Sequence, residues 1–198
     1  MSKLTRNDLM SLEQYSEQRT EFRKKVIAHK KNRHIPVSEH TTLYFEDRLT
    51  IQYQIQEMLR IERIFEVAGI QEELDAYNAL IPDGSNLKAT FMIEYENENE
   101  RKEALTRLIG IEDKVWLQVK GFDKVWAIAD EDLERENDVK TSAVHFLRFE
   151  LDETMIAAAK QGADINIGID HPQCQYSVEP IPANIRDSLV NDLKPVVH

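Results

Sequence analysis

The chain has 198 residues, 41% of them hydrophobic and 31% charged, with a formal net charge of −11. That length suffices for a core without disulfide staples, and the acidic balance argues against a general nucleic-acid binder. The single cysteine, Cys174, excludes an internal disulfide. No apolar run approaches the ~20 residues that span a bilayer, so the expectation is a cytoplasmic protein without a membrane partner.

The N-terminus, MSKLTRNDLM, lacks the apolar stretch of a signal peptide. A first helix is predicted from about Asn7 to Lys31. Leu12, Tyr15, Phe22, Val26 and His29 recur there at helical spacing, and Thr5 with Asp8 forms a capping-box pattern. Ile35-Pro36 ends it. A short strand, Thr41–Phe45, leads into the helix EDRLTIQYQIQEMLRIERIFE, Glu46 to Glu66, with Gly69 as its stop. A third helix, about Gln71–Leu80, ends at the turn PDGSN.

The pattern then changes to period two. Leu87, Ala89, Phe91, Ile93 and Tyr95 alternate with Lys88, Thr90, Met92 and Glu94, the signature of a strand with one wet face. Asn99–Leu108 forms a short helix. KVWLQV and KVWAIA around KGFD form a hairpin. SAVHFLRFEL alternates again, and Asp152 caps a helix that Gly162 stops. ADINIGID is a further strand, and Pro182–Leu193 a last helix.

These elements define one α+β domain over residues 1–198. Residues 1–34 form a long basic helix and 35–81 a helical segment. Residues 82–198 form mainly an antiparallel sheet, with inserted helices. The sheet has about six strands, with the helical N-terminal third packed on it.

Charge is unevenly spread. Residues 1–34 hold nine Lys/Arg against four Asp/Glu, and the other 164 hold sixteen against thirty-two. The extremes are RKKVIAHKKNRH (Arg23–His34) and ADEDLEREND (Ala129–Asp138). A basic block of this kind is most often a solvated helix end. Its functional alternative is a docking surface of Lys24, Lys25, Lys30, Lys31 and Arg33. That surface would meet either the acidic segment of a second copy, in a homodimer, or an acidic redox protein.

The Glu46–Glu66 helix mixes eleven apolar residues between Leu49 and Ala68 with many polar ones. On a helical wheel Ile51, Met58 and Phe65 share an arc without polar side chains. Gln52, Gln56 and Arg63 share an arc without apolar ones, which predicts a solvent face. Glu57, Arg60, Glu62, Arg63 and Glu66 form the candidate polar cluster. Glu57 reaches Arg60 and Arg63 reaches Glu66 at i+3, whereas Glu62 and Glu66 repel at i+4. A salt-bridged interior helix accounts for most of this. The sharper reading is a divalent-metal site of Glu57, Glu62, His145 and His171. His145 shares an apolar strand face with Leu147, Phe149 and Leu151, where a satisfied core histidine is the commoner outcome. There is no G-x-S-x-G, P-loop or paired C-x-x-C, so no cofactor is evident and whether the protein is an enzyme stays open.

Several segments are similar to an uncharacterised bacterial family, catalogued as a domain of unknown function. They are EDRLTIQYQIQEMLRIERIFE, ELDAYNALIPDGSNLKAT, IADEDLEREN, KTSAVHFLRFE, AHKK and DHP. The resemblance covers nearly the whole chain. Members of that family are typically encoded beside rubrerythrin and a heterodisulfide-reductase-like iron–sulfur protein. The resemblance thus implies a non-catalytic accessory role in peroxide handling or electron transfer, with such a redox protein as partner. Where the family has an aromatic residue after DHP, this chain departs from the pattern with Gln173-Cys174-Gln175-Tyr176.

Overall fold

The structure is a computed structural model that describes residues 2–131 and 140–194. A 3-10 turn, Arg6–Asp8, carries the Thr5/Asp8 capping box. The first long helix starts later than the wheel suggests, at α1 (Leu12–Lys30). Ser11 accepts from the Gln14 amide at 3.2 Å and Gln14 reaches back to Ser11 at 3.1 Å, a second capping box that fixes the start. Next come β1 (His34–Ser38), β2 (Thr41–Phe45), α2 (Arg48–Ile61) and α3 (Val67–Asn78). The remainder comprises β3 (Asn86–Ile93), α4 (Glu98–Arg107), β4 (Val115–Val119), β5 (Val125–Trp126), β6 (Ile128–Ala129), β7 (Val144–Glu150), α5 (Glu153–Lys160), β8 (Ile165–His171), β9 (Cys174–Val178) and α6 (Ala183–Val190).

The class is α+β with antiparallel pairing throughout the described residues, but the strands form two sheets. One has the order β1-β2-β3-β7-β6 and the other β5-β4-β8-β9. The segment 125–129 joins them, because its first half pairs with β4 and its second with β7. Two strands escape the sequence patterns. β1 contains Pro36, which looks like a breaker, yet β1 is an edge strand where proline is tolerated. β9 is polar and mostly exposed, so its alternation is faint.

Both sheets turn their apolar faces to one core. Leu43, Phe45, Phe91 and Phe149 come from one sheet, Leu117, Ile167 and Ile169 from the other, and Ile156, Ile185 and Leu189 from α5 and α6. Each such side chain contributes about 1.5–3 kcal/mol on burial.

A second, smaller core lies among the N-terminal helices: Leu4, Ile51, Ile55, Leu59, Leu74 and Ile81. Its edges are sewn by amide side chains. Asn78 pairs with both backbone groups of Leu4, at 2.7 and 2.9 Å. Gln56 does the same for Met10, at 2.6 and 3.3 Å, and Gln52 donates to the Asp8 carbonyl at 2.6 Å. The polar arc of α2 is therefore no solvent face. Gln56 is 0% exposed, because residues 8–10 lie over it and need their backbone groups satisfied.

The end of α2 also differs from expectation. Arg63 adopts a left-handed conformation (φ 56°), and the Ile64 amide donates back to the Leu59 carbonyl at 2.9 Å. That is a Schellman-type stop with arginine where glycine is usual. Phe65 thus leaves the apolar arc and is 67% exposed. Gly69 lies inside α3. A Cβ there would stand 2.8 Å from the Ile64 side chain, so glycine serves close packing and not termination.

Candidate metal centre

Among the described residues, one group of His, Cys, Asp and Glu side chains converges closely enough to hold an ion: Glu112, Asp130 and His145, with ligand atoms within 4.8 Å of one another. Three elements bring them together. His145 sits on β7 with its side chain in the core, 0% exposed. Asp130 follows β6 in a left-handed conformation (φ 47°), tolerated by aspartate better than by most residues. Its amide donates to the Phe146 carbonyl and its Oδ1 accepts from the Phe146 amide, both at 2.8 Å. That clamp turns Oδ2 onto His145 Nδ1 at 2.5 Å. Glu112 is buried in a 3-10 turn, Glu112–Lys114, that enters β4.

The other ring nitrogen faces three oxygens. His145 Nε2 lies 2.9 Å from Thr141 Oγ1, 3.0 Å from the Ser142 carbonyl and 3.7 Å from Glu112 Oε2. Thr141 in turn donates to Glu112 Oε2 at 3.2 Å. Nδ1 faces a carboxylate, and Nε2 faces the Thr141 hydroxyl and the Ser142 carbonyl. The result is a chain from Asp130 through His145 and Thr141 to Glu112. The alternative filling is a cation at the Nε2 edge. Donors at roughly 2.0–2.2 Å from a small ion stand about 3–3.5 Å from one another, close to the spacing around Nε2. Asp130 then fixes the ring from behind, as carboxylates do for ligating histidines.

The Asp130–His145–Thr141 order also resembles a nucleophilic triad. Burial opposes that reading: Thr141 is 2% exposed, so a substrate carbonyl has no approach to its hydroxyl.

The residues anticipated from sequence separate into different environments. Glu57 takes Arg19 at 2.7 Å, Arg60 at 3.2 Å and the Tyr15 hydroxyl at 2.6 Å. The Arg19 guanidinium, helped by Tyr15 and Arg60, holds its carboxyl down at about 2 against the opposing effect of burial. Glu62 ends α2 and Glu66 begins α3, so the two no longer share a helix. Glu62 instead lies near Glu73, whose carboxyl is raised first by burial and then by Glu62 and Glu72. His171 accepts from the Gln173 amide at Nδ1, 3.2 Å, leaving Nε2 to donate to the Ile109 carbonyl at 3.1 Å. Both its nitrogens are used structurally. Of the four expected ligands, His145 alone joins the convergent group, whose other members are Glu112 and Asp130.

The basic surface also divides. Lys24, Lys25 and Lys31 are exposed and Lys30 half-buried. Arg33 is buried, bonded to Asp192, the Phe45 carbonyl and the Glu46 carbonyl. Most of the acidic segment, 132–138, lies outside the described residues. No helix among the described residues is long and apolar enough to cross a membrane.

Fold and cluster together define a small α+β protein whose two-sheet core encloses a carboxylate–imidazole group. The chain belongs to the family described as Protein of unknown function (DUF3501), whose sequence model matches residues 3–193. It is similar to a crystal structure of a novel protein of unknown function from Burkholderia pseudomallei K96243. The two are 54% identical with a TM-score of 0.93, over 98% of this chain and 100% of that one. No curated protein matches the chain.

Proposed function

We propose that the protein binds a divalent first-row metal ion at His145 Nε2 and Glu112, with Thr141 and the Ser142 carbonyl completing the donors and Asp130 orienting the ring. The observation that carries this is the clustering of three oxygens around one edge of a buried imidazole whose other edge is already gripped. One nitrogen with several oxygens suits Mn²⁺, Fe²⁺ or Zn²⁺. The test is elemental analysis of untagged protein after equilibration with each ion and dialysis. About one equivalent is expected in the wild type and a marked loss in Glu112→Gln. Retention below about one-tenth of an equivalent of every ion sinks the reading, since a correct N/O site keeps some metal. The hydrogen-bonded chain is then the whole role of the cluster.

A second reading concerns where such a protein acts: as an accessory of a rubrerythrin or iron–sulfur redox system. The sequence resemblance supports it, and the exposed lysines at the end of α1 offer a surface for an acidic redox protein. Anaerobic, reducing pull-down with the untagged chain tests it. Recovery of neither redox protein counts against it. If instead the lysines bind a second copy, Lys30→Glu and Lys31→Glu and added salt all lower the solution mass.

A further inference from the structure

β7 has a second face. His145, Leu147 and Phe149 point into the core, and Val144 and Phe146 point away. Register places Tyr44 beside Thr90 and Thr90 beside Phe146, so three strands supply one row of a floor. Met92 and Val144 extend it, and α2 and α3 face it with Ile51, Gln54 and Tyr77. The layers do not close. A cleft of about 330 Å³ remains between them, at the lower end of the ~300–1,000 Å³ typical of small-ligand sites.

Packed layers interdigitate to crystal-like density. A cleft walled by three aromatic rings and aliphatic side chains forfeits that contact unless something fills it. Two of its groups are charged. Glu46 is held in place: Oε1 accepts from the Thr90 hydroxyl at 2.8 Å and Oε2 from the Thr50 hydroxyl at 2.5 Å. A carboxylate has about four acceptor sites, so two threonines orient it without exhausting it. Lys30 lines the same cleft. A monovalent cation would meet Lys30 unfavourably and an anion would meet Glu46 unfavourably. A molecule bearing both charges satisfies both.

We propose that this cleft binds a small zwitterion, an amino acid or close analogue with an apolar side chain. Its ammonium group lies on Glu46, its anionic group toward Lys30, and its body against Tyr44, Tyr77 and Phe146. The aromatic faces also favour the ammonium group. The cleft lies on the opposite face of β7 from the His145 side chain, and its assignment does not rest on the metal reading.

Isothermal titration of the full chain with leucine, phenylalanine, phenethylamine and 3-phenylpropionate tests the assignment. Leucine or phenylalanine is expected to bind at one site. Phenethylamine, lacking the anion, binds several-fold more weakly, and 3-phenylpropionate, lacking the ammonium, more weakly still. Glu46→Gln keeps a side chain that can bond both threonines and is expected to weaken amino-acid binding about tenfold or more. Val144→Trp fills the cleft from a half-buried position without touching Glu46, and is expected to abolish binding. Melting curves confirm that each variant is folded, and either folded variant decides the matter. Absence of binding by both amino acids, binding unchanged in a folded variant, or tightest binding by the bare anion overturns the proposal.

Discussion

The Glu57 and His145 clusters both withdraw carboxylates from solvent, and they differ in the side chains set against them. Glu57 meets two guanidiniums and a phenol. Guanidinium charge is permanent, and the fork geometry fixes its partner, so that cluster can join α1 to α2 and do little else. At His145 the carboxylates of Asp130 and Glu112 flank an imidazole whose Nε2 makes a hydrogen bond to Thr141. A metal ion can take the place of that bond. Similar residue types therefore make a strut in one region and an exchangeable site in the other, and the partner decides which.

The largest effect that would break this contrast is loss of the imidazole. His145→Leu leaves Asp130 and Glu112 without the group between them. Breaking a buried charged group in this way destabilises by about 3–5 kcal/mol. Urea unfolding measures it, and a loss near 1 kcal/mol would show that the carboxylates do not depend on the ring. The double variant Asp130→Asn/His145→Leu is expected to lose less than the sum of the single losses, because the residues are in direct contact.

Metal linkage comes next. Ion at about one hundred times its dissociation constant stabilises the folded chain by about 2.7 kcal/mol. The melting temperature of the wild type therefore rises with added Mn²⁺ or Zn²⁺, while that of Glu112→Gln stays nearly flat. An equal rise in both would place the ion elsewhere. At the other cluster the control variant is Glu57→Gln, for which a loss of about 1 kcal/mol is expected, small because Arg19 and Arg60 are substantially exposed. Its pH dependence has a definite sign. The folded carboxyl titrates at about 2, below its ordinary 4.5. Its contribution is thus complete above about 4.5 and fades as pH falls toward 2. The advantage of wild type over Glu57→Gln should shrink across that window, and an advantage that grows on acidification would reverse the assignment.

Much of this molecule is visible in local sequence, and the sites are visible only in part. Periodicity of two and of 3.6 locates most strands and helices and places His145 on a buried face. The Glu57–Arg60 contact is legible because i and i+3 meet on any helix. Arg19 and Tyr15, its other partners, arrive from α1 and leave no local trace. Glu112 and Asp130 are hidden for the same reason, since each stands in a turn whose position depends on how two sheets pack. Asp130 is further masked by the acidic run that contains it, where one carboxylate looks like the next. Gln56 misleads in the opposite direction: an amide on a polar arc resembles a solvent face until the chain segment that it bonds is in view.

Arg63 offers the finest test, because it belongs to the candidate polar cluster by sequence and to a helix stop by conformation. If its function is the left-handed turn, a residue without a Cβ serves better. The left-handed conformation strains any L-residue, and glycine is the usual occupant of this position in a Schellman stop. Arg63→Gly is then expected to stabilise by roughly 0.5–1 kcal/mol in urea unfolding, even though it deletes a charged side chain. The gain is net of the greater freedom glycine has in the unfolded chain. If the variant is instead less stable, the guanidinium holds the α2–α3 corner through its charge. The Glu57 network would then extend past the end of its helix.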